Sequence, residues 1–427
     1  MEKLIIKGGV PLHGELIPSG NKNAALPMLA ACLLTPEPVV LHNMPDILDV
    51  KAMIRLMQSL NVKVEWVNKS SLRLDASDIR PADLDPSLCR QIRASILLAG
   101  PLVSRVGELF LPPPGGDVIG RRRVDTHILA LKQLGVKTQY IENQFQLSTK
   151  GLVGAEILLD EASVTATENA IMACVLAKGK STIKNAASEP HIQNLCHFLN
   201  VLGANIENIG SNTLVINGVD SLHGGEFSIG PDYLEVVSYI GAAVVTGGSI
   251  RIKNAGVEHL DMINLVMRRL GVNWETDGDD IIVPEEQQLE IEPDLGNAIP
   301  EISVMPWPAF PTDLMSIAIV IATQSKGSIL FHDWMYPSRM FFTDKLVGMG
   351  AQIVLCDPHR CIVMGPTRLN AEHLESPDIR AGMALLLAAL SAKGESVIRN
   401  ISQIHRGYQR VDEKLKALGA EIQRLPA

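Results

Sequence analysis

The sequence predicts an α/β protein of two domains, each assembled from three repeats of about 70 residues. Three observations predict it: a recurring helix-stop signal, a second signal that opens short strands, and an apolar composition nearly without aromatic rings.

The stop signal is a helix-like stretch that ends on Leu or Met, then Gly or Asn, then Val or Ala. Its six copies are Leu60-Asn61-Val62, Leu134-Gly135-Val136, Leu202-Gly203-Ala204, Leu270-Gly271-Val272, Met349-Gly350-Ala351 and Leu418-Gly419-Ala420. Gly and Asn are the residues that best tolerate the left-handed conformation just past a helix C-terminus. Marked by that residue, the copies stand 74, 68, 68, 79 and 69 residues apart. A solenoid could use the same stop, but 427 residues exceed one ordinary core, so two domains of three units follow.

Strand openings come at Gly179-Lys180-Ser181, Gly247-Gly248-Ser249, Gly327-Ser328 and Gly394-Glu395-Ser396. Each leads into an alternating segment such as Ile250-Arg251-Ile252-Lys253-Asn254. Each unit then runs strand, helix, strand, helix, strand. The run Leu385-Leu386-Leu387-Ala388-Ala389-Leu390 is apolar around its circumference, which predicts a helix buried inside its domain.

Composition sets outer limits. At 46% hydrophobic and 4% aromatic, the core must be built from Leu, Ile, Val, Ala and Met. A net charge of −9 argues against a general binder of nucleic acid or of membrane surfaces. Residues 1–10 carry Glu2, Lys3 and Lys7 rather than a signal-peptide apolar run, and the apolar runs 24–34 and 381–392 are too short to span a bilayer. A cytoplasmic location is expected. The six cysteines form no CxxC pair and no zinc-like spacing with His, so reduced thiols, most of them buried, and no metal are expected. No oligomeric state follows from the sequence.

An acidic chain that binds anions must gather its positive charge locally. Ser19-Gly20-Asn21-Lys22-Asn23-Ala24-Ala25 puts Lys22 at the start of a helix, where free N–H groups favour anions, although a surface turn explains it as well. Residues 112–127 form a Pro/Gly-rich loop with Asp117 at its tip, followed by Arg121, Arg122 and Arg123. A charge run is usually a solvated face; its place in such a loop points instead to phosphate or carboxylate binding. Gln91-Ile92-Arg93-Ala94-Ser95 and Asp378-Ile379-Arg380-Ala381-Gly382 each lead into an apolar helix in opposite halves, as one functional position duplicated. An Asp378/Arg380 helix cap is the plainer account. Arg339 and Arg406 are further single arginines. In Pro308-Ala309-Phe310-Pro311-Thr312-Asp313, either Thr312 or Asp313 caps a helix, or Asp313 is a general base.

Together these segments resemble the enolpyruvyl transferase family, and within it the branch that acts on UDP-N-acetylglucosamine at the first committed step of peptidoglycan precursor synthesis. The resemblance covers essentially the whole chain. It rests most on residues 19–27, Arg93-Ala94-Ser95, Pro114-Gly115-Gly116, Ala309-Phe310-Pro311-Thr312-Asp313 and Arg406-Gly407-Tyr408. It implies two inside-out α/β barrels, each of three βαβαββ repeats with buried helices: residues 22–231, and residues 1–21 with 232–427, with the active site in the cleft between them. It implies phosphoenolpyruvate and a uridine nucleotide sugar as substrates, with no metal or organic cofactor. Lys22, Arg122 and Arg406 would bind phosphoenolpyruvate and the departing phosphate, supported by Arg93, Arg339 and Arg380. Asn23 and Asp313 would contact the acceptor sugar, with Asp313 taking its hydroxyl proton, and Met335 completes the substrate-binding set. Residues Arg122, Arg123, Val124, Asp125 and Thr126 would face uracil, and Ser163, Val164 and Thr165 the diphosphate.

The chain also departs from the family pattern. Asp117 stands where similar enzymes usually carry Cys; it can transfer a proton but offers fosfomycin no thiolate to alkylate, so resistance is expected. Arg123 replaces Pro and Thr165 replaces Gly. Glu161 and Leu48 stand at commonly basic positions, Trp307 replaces His, and His405 replaces Asp. Several of these surround the nucleotide, so another nucleotide 3′-hydroxyl, such as that of UMP, is the alternative acceptor. A non-catalytic nucleotide-sugar-binding paralog is the non-enzyme alternative. The loop at residues 114–117 and the segment 122–127 speak against a shikimate-pathway transferase, and the acidic balance against an RNA 3′-phosphate cyclase.

Overall fold

A computed structural model describes residues 2–80, 84–117, 119–120 and 122–426. Arg121, one of the three loop arginines, lies outside the described residues. The chain divides into two compact units. A composite unit comprises Met1–Ser19, Val118–Arg121 and Pro231–Ala427; an inserted unit comprises Gly20–Asp117 and Arg122–Gly230.

Among the described residues each unit is a mixed α/β structure with three small sheets. In the inserted unit, Glu156–Leu158 pairs in parallel with Lys180–Lys184, which pairs antiparallel with Thr213–Asn217, and that strand with Asn205–Glu207. The parallel pair demands a crossover, supplied by the Val164–Val175 helix. Five of the six sheets share this pattern of one parallel edge and two antiparallel pairs; the sheet of Glu108–Leu111, Gln144–Ser148 and Lys137–Ile141 is antiparallel throughout.

Three sheets are completed by strands distant in sequence. Gly225–Ser228 closes onto Val39–His42 in the inserted unit. In the composite unit, His13–Leu16 pairs with Ser249–Ile252, and Glu2–Lys7 lies between Glu395–Arg399 and Glu421–Pro426. The chain therefore starts the composite unit, builds the whole inserted unit, and returns.

Inside each unit sit helices without a polar face. In the composite unit Tyr233–Thr246, Met315–Gln324 and Ile379–Ser391 each pack on the other two, and residues 315–323 and 379–390 are buried without exception. Apolar contact on all sides is what an apolar circumference requires. The helices meet at Gly241, where a Cβ would come within 2.9 Å of Leu387 Cδ2 and 3.0 Å of Ile317 Cγ2. Lys22–Ala31, Ala99–Val106 and Val164–Val175 are the corresponding buried helices of the inserted unit.

A second helix in each repeat lies farther out and ends on the stop signal. Asn61, Gly135, Gly203, Gly271, Gly350 and Gly419 all have positive φ, between 67° and 103°. At the first of them Asn61 N–H donates to Gln58 O at 3.0 Å and Val62 N–H to Met57 O at 3.1 Å, giving the last carbonyls their partners. Five cysteines are buried and Cys356 is exposed. Among the described residues no helix is long and apolar enough to cross a membrane, and no group of three His, Cys, Asp or Glu could hold a metal ion.

Candidate active site

In the inserted unit Lys22 is the first residue of its helix. Asn21 caps that helix by accepting the Ala24 N–H at 3.0 Å. Gly20 allows the approach: a Cβ there would lie 1.8 Å from Asn43 O. The Lys22 ammonium meets the Asp49 carboxylate at 2.8 Å, with side-chain exposures of only 11% and 5%. Asp49 sits in the first turn of the Leu48–Ser59 helix, where a negative charge is favoured. Asn23, next along the Lys22 helix, is half-buried.

The Pro/Gly loop is seated by its glycines. A Cβ on Gly115 would stand 1.7 Å from Arg90 O; one on Gly116, whose φ is +112°, would stand 2.9 Å from Arg93 Cβ and 3.0 Å from an Arg122 guanidinium nitrogen. The backbone thus lies directly on two of the predicted anion-binding arginines, and Asp117 follows half-buried. Arg93 donates to the Arg123 carbonyl at 2.5 Å. Arg123 in turn pairs with Asp125 at 3.1 Å and Asp160 at 3.2 Å, while Thr126 donates to Asp160 at 2.6 Å. Val124 packs, half-buried, against the core of its unit.

His127 lies beneath this segment, buried. Its ring contacts Thr165 Oγ1 at 3.2 Å and Asn169 Nδ2 at 2.8 Å. Ser163 precedes the Val164–Val175 helix, placing Ser163, Val164 and Thr165 together at its first turn. Burial, and then the nearby Arg93 charge, push the His127 pKa down from 6.5 to about 3. The unfolded ring takes up a proton below about pH 6.5, the folded ring not until about pH 3, so acid favours the unfolded chain. The His127 contribution is therefore present above pH 6.5 and lost as pH falls, at up to about 1.4 kcal/mol per pH unit. Urea unfolding between about pH 7 and pH 4 should show a shallower decline for His127→Gln than for the parent chain. Equal slopes would contradict the assignment.

In the composite unit Asp313 is the centre of an ion cluster. One oxygen accepts from Arg339 at 3.0 Å and the other from Arg380 at 3.1 Å; both arginine side chains are at most 5% exposed. Arg380 also donates to Tyr408 Oη at 3.3 Å, and that oxygen lies 2.9 Å from Ser238 Oγ. Burial opposes the Arg380 charge, but Asp313, with Tyr408 and Asp232, holds its pKa above the ordinary guanidinium value. Asp378 caps the Ile379–Ser391 helix by accepting the Arg380 and Ala381 N–H groups, so the capping account holds for Asp378, whereas the Arg380 side chain turns to Asp313. The capping account fails for Thr312 and Asp313. Thr312 donates to Asp333 at 2.5 Å and Asp313 engages the two arginines, because the short helix there starts after Pro311 with no side-chain cap. Asp333 also accepts the Met335 N–H at 3.1 Å, and burial raises its pKa. Arg406 bonds Gln403 at 3.1 Å.

Sequence reasoning misses Asp49, Asp160, Asp333 and Asn169. Asp49, Asp160 and Asp333 are partners of predicted residues, Asn169 is a partner of His127, to which the sequence gives no role, and none belongs to a segment with a signal of its own.

The comparisons fix the class first. A family model described as EPSP synthase (3-phosphoshikimate 1-carboxyvinyltransferase) matches residues 6–415. The enolpyruvyl transferase NikO from Streptomyces tendae superposes with a TM-score of 0.89 at 25% identity, covering 100% of this chain and 99% of that one. An EPSP synthase from Acinetobacter baumannii shares the fold with a TM-score of 0.76 at 15% identity over both full chains. Closer in sequence is the UDP-N-acetylglucosamine 1-carboxyvinyltransferase of Bradyrhizobium diazoefficiens, 55% identical over 99% of this chain and 98% of the relative. Those of Treponema denticola, at 50%, and Bacteroides thetaiotaomicron, at 47%, match over at least 99% of both chains. The chain belongs to the UDP-N-acetylglucosamine 1-carboxyvinyltransferase family.

Proposed function

We propose that this chain transfers the enolpyruvyl group of phosphoenolpyruvate to the 3-hydroxyl of UDP-N-acetylglucosamine in the cytoplasm, releasing phosphate. The observation that carries the reading is the 55% identity to a relative of that name along essentially the full length of both chains. Each unit is taken as an inside-out barrel, its sheets wrapped around the buried helices.

The reaction is an addition followed by an elimination. Protonation of C3 of phosphoenolpyruvate leaves C2 cationic; the acceptor oxygen bonds to C2, its proton passing to Asp313, and a tetrahedral ketal phosphate forms. Breaking the C2–O bond to phosphate and removing a C3 proton restores the enol. Lys22, Arg122 and Arg406, with Arg93, Arg339 and Arg380, hold the phosphate and carboxylate charges as they shift. Asp117 serves proton transfer at C3. Asn23 and Met335 meet the acceptor sugar. Residues 122–126 take the uracil, and Ser163, Val164 and Thr165 take the diphosphate.

The departures around the nucleotide, at Arg123, Thr165 and Glu161, are the ground for a second reading, in which the acceptor is another nucleotide 3′-hydroxyl such as that of UMP. One assay separates the two. Phosphate release from phosphoenolpyruvate should require UDP-N-acetylglucosamine, persist with UMP only under the second reading, and fall by about 10²-fold or more in Asp117→Ala. Stoichiometric fosfomycin should leave the activity intact, since Asp117 offers no thiolate; inactivation would remove the role given to Asp117. No phosphate release with any nucleotide would end both readings.

A further inference from the structure

We infer that a fixed hydrogen-bond relay from Asn169 through His127 commits the Thr165 hydroxyl to donate its proton to an anionic acceptor group, the diphosphate of the nucleotide substrate. The inference rests on the proposed nucleotide reading for its ligand, and on the relay for its direction.

The relay can be followed atom by atom within the inserted unit. The Gly100 backbone N–H, which can only donate, lies 2.8 Å from Asn169 Oδ1. The Ile96 carbonyl, which can only accept, lies 2.8 Å from Asn169 Nδ2. These two backbone groups fix which end of the amide is oxygen; a flipped amide would set N–H against N–H and oxygen against oxygen. Gly100 is what lets the backbone come so close: a Cβ there would stand 2.6 Å from Asn169 O and 3.0 Å from its Oδ1.

The second Asn169 Nδ2 proton then points along the 2.8 Å contact to His127 Nδ1, so Nδ1 must accept. A neutral imidazole that accepts at Nδ1 carries its proton on Nε2. Burial and the Arg93 charge keep the ring neutral, in agreement with a donor already facing Nδ1. Nε2–H donates to Thr165 Oγ1 at 3.2 Å. That bond occupies a lone pair of the hydroxyl and leaves its own proton to be donated elsewhere. Thr165 is half-buried, in the first turn of the Val164–Val175 helix beside Ser163, so its proton is directed where backbone N–H groups also favour an anion. Asn169 and His127 are positioning residues in this scheme, and Thr165 is the group that touches substrate. A glycine at 165 would leave Nε2–H without this acceptor and the ligand without this donor.

Two measurements on the full-length protein test it. In ¹⁵N-histidine-labelled protein, the His127 signals, identified by their loss in His127→Gln, should show a protonated Nε2 and an unprotonated Nδ1 at neutral pH. The opposite tautomer would overturn the relay whatever the substrate is. In steady-state assays Thr165→Val, which keeps the shape and removes the donor, should raise KM for UDP-N-acetylglucosamine about ten- to hundredfold. The loss should fall more on the nucleotide KM than on kcat, and Thr165→Ser, which keeps the donor, should raise that KM less than Thr165→Val does, because a charged acceptor is engaged equally in ground and transition states. An unchanged nucleotide KM in an active Thr165→Val enzyme would overturn the role of Thr165 alone. A parent chain that binds no uridine diphosphate ester in calorimetry would overturn the nucleotide reading and this role with it, and the tautomer result would still report on the relay.

Discussion

Asp313→Ala should lose about 3–5 kcal/mol of unfolding free energy and at least about 10²- to 10⁴-fold in phosphate release. The stability loss follows from what alanine leaves behind. Arg339 and Arg380 are buried guanidinium groups that divide the two Asp313 oxygens between them. Without the carboxylate, each charge remains in a low-dielectric site with its nearest counter-charge gone, and breaking a buried pair from one side costs far more than the pair was worth. Arg339 would keep the charges of Asp378 and Asp333 near it, but its Nε already lacks a hydrogen-bond partner among the described residues. Tyr408, itself bonded to Ser238, would still hold one edge of Arg380. Asp313→Asn separates structure from chemistry. It keeps one acceptor oxygen and so should lose less stability, yet it cannot take a proton and should lose as much turnover. An Asp313→Ala protein that unfolds in urea like the parent and retains its rate would refute both halves.

The next largest effect is expected at Lys22. Lys22→Ala removes the ammonium 2.8 Å from a carboxylate whose side chain is 5% exposed, so Asp49 must either stay charged without that counter-ion or take up a proton. A loss of about 3–5 kcal/mol is expected, together with a collapse of phosphate release. The double variant Lys22→Met/Asp49→Leu distinguishes the two consequences. Replacing a buried pair by apolar groups of similar size is often neutral or stabilising, so stability should recover while activity does not. Recovery of both would mean that Lys22 only balances Asp49 and never meets substrate.

How far each feature was legible in the sequence depends on how local its physics is. The stop at Gly203 or Gly271 is decided by one residue and the turn before it, and all six stops carry the left-handed backbone their sequence implies. The apolar circumference of residues 385–390 likewise announced burial before any partner was known. The site was legible only by halves. Lys22, Arg93, Arg123, Asp313, Arg339 and Arg380 stood out by residue type and setting, but which of them pair, and with which unmarked carboxylates, did not. Asp160 reaches Arg123 across 37 positions and Thr126 across 34, and Asp313 meets Arg380 across 67. Such pairs exist only once sheets and helices have set the register, so no local pattern marks Asp160 as different from any other surface carboxylate. At Thr312 and Asp313 the local rule itself misled: a Thr-Asp pair before an apolar helix reads as a cap, and burial beside two arginines and Asp333 overrode it.

The placing of Glu2–Lys7 between Glu395–Arg399 and Glu421–Pro426 constrains the order in which the molecule can be made. During vectorial synthesis that strand emerges nearly 400 residues ahead of both of its hydrogen-bonding neighbours. Every residue of the inserted unit is translated before Pro231, so this half can fold beside the ribosome while the opening strand is still waiting. Six residues with apolar Leu4, Ile5 and Ile6 must wait for partners until residues 395–426 have emerged, and only then does the composite unit become a closed structure.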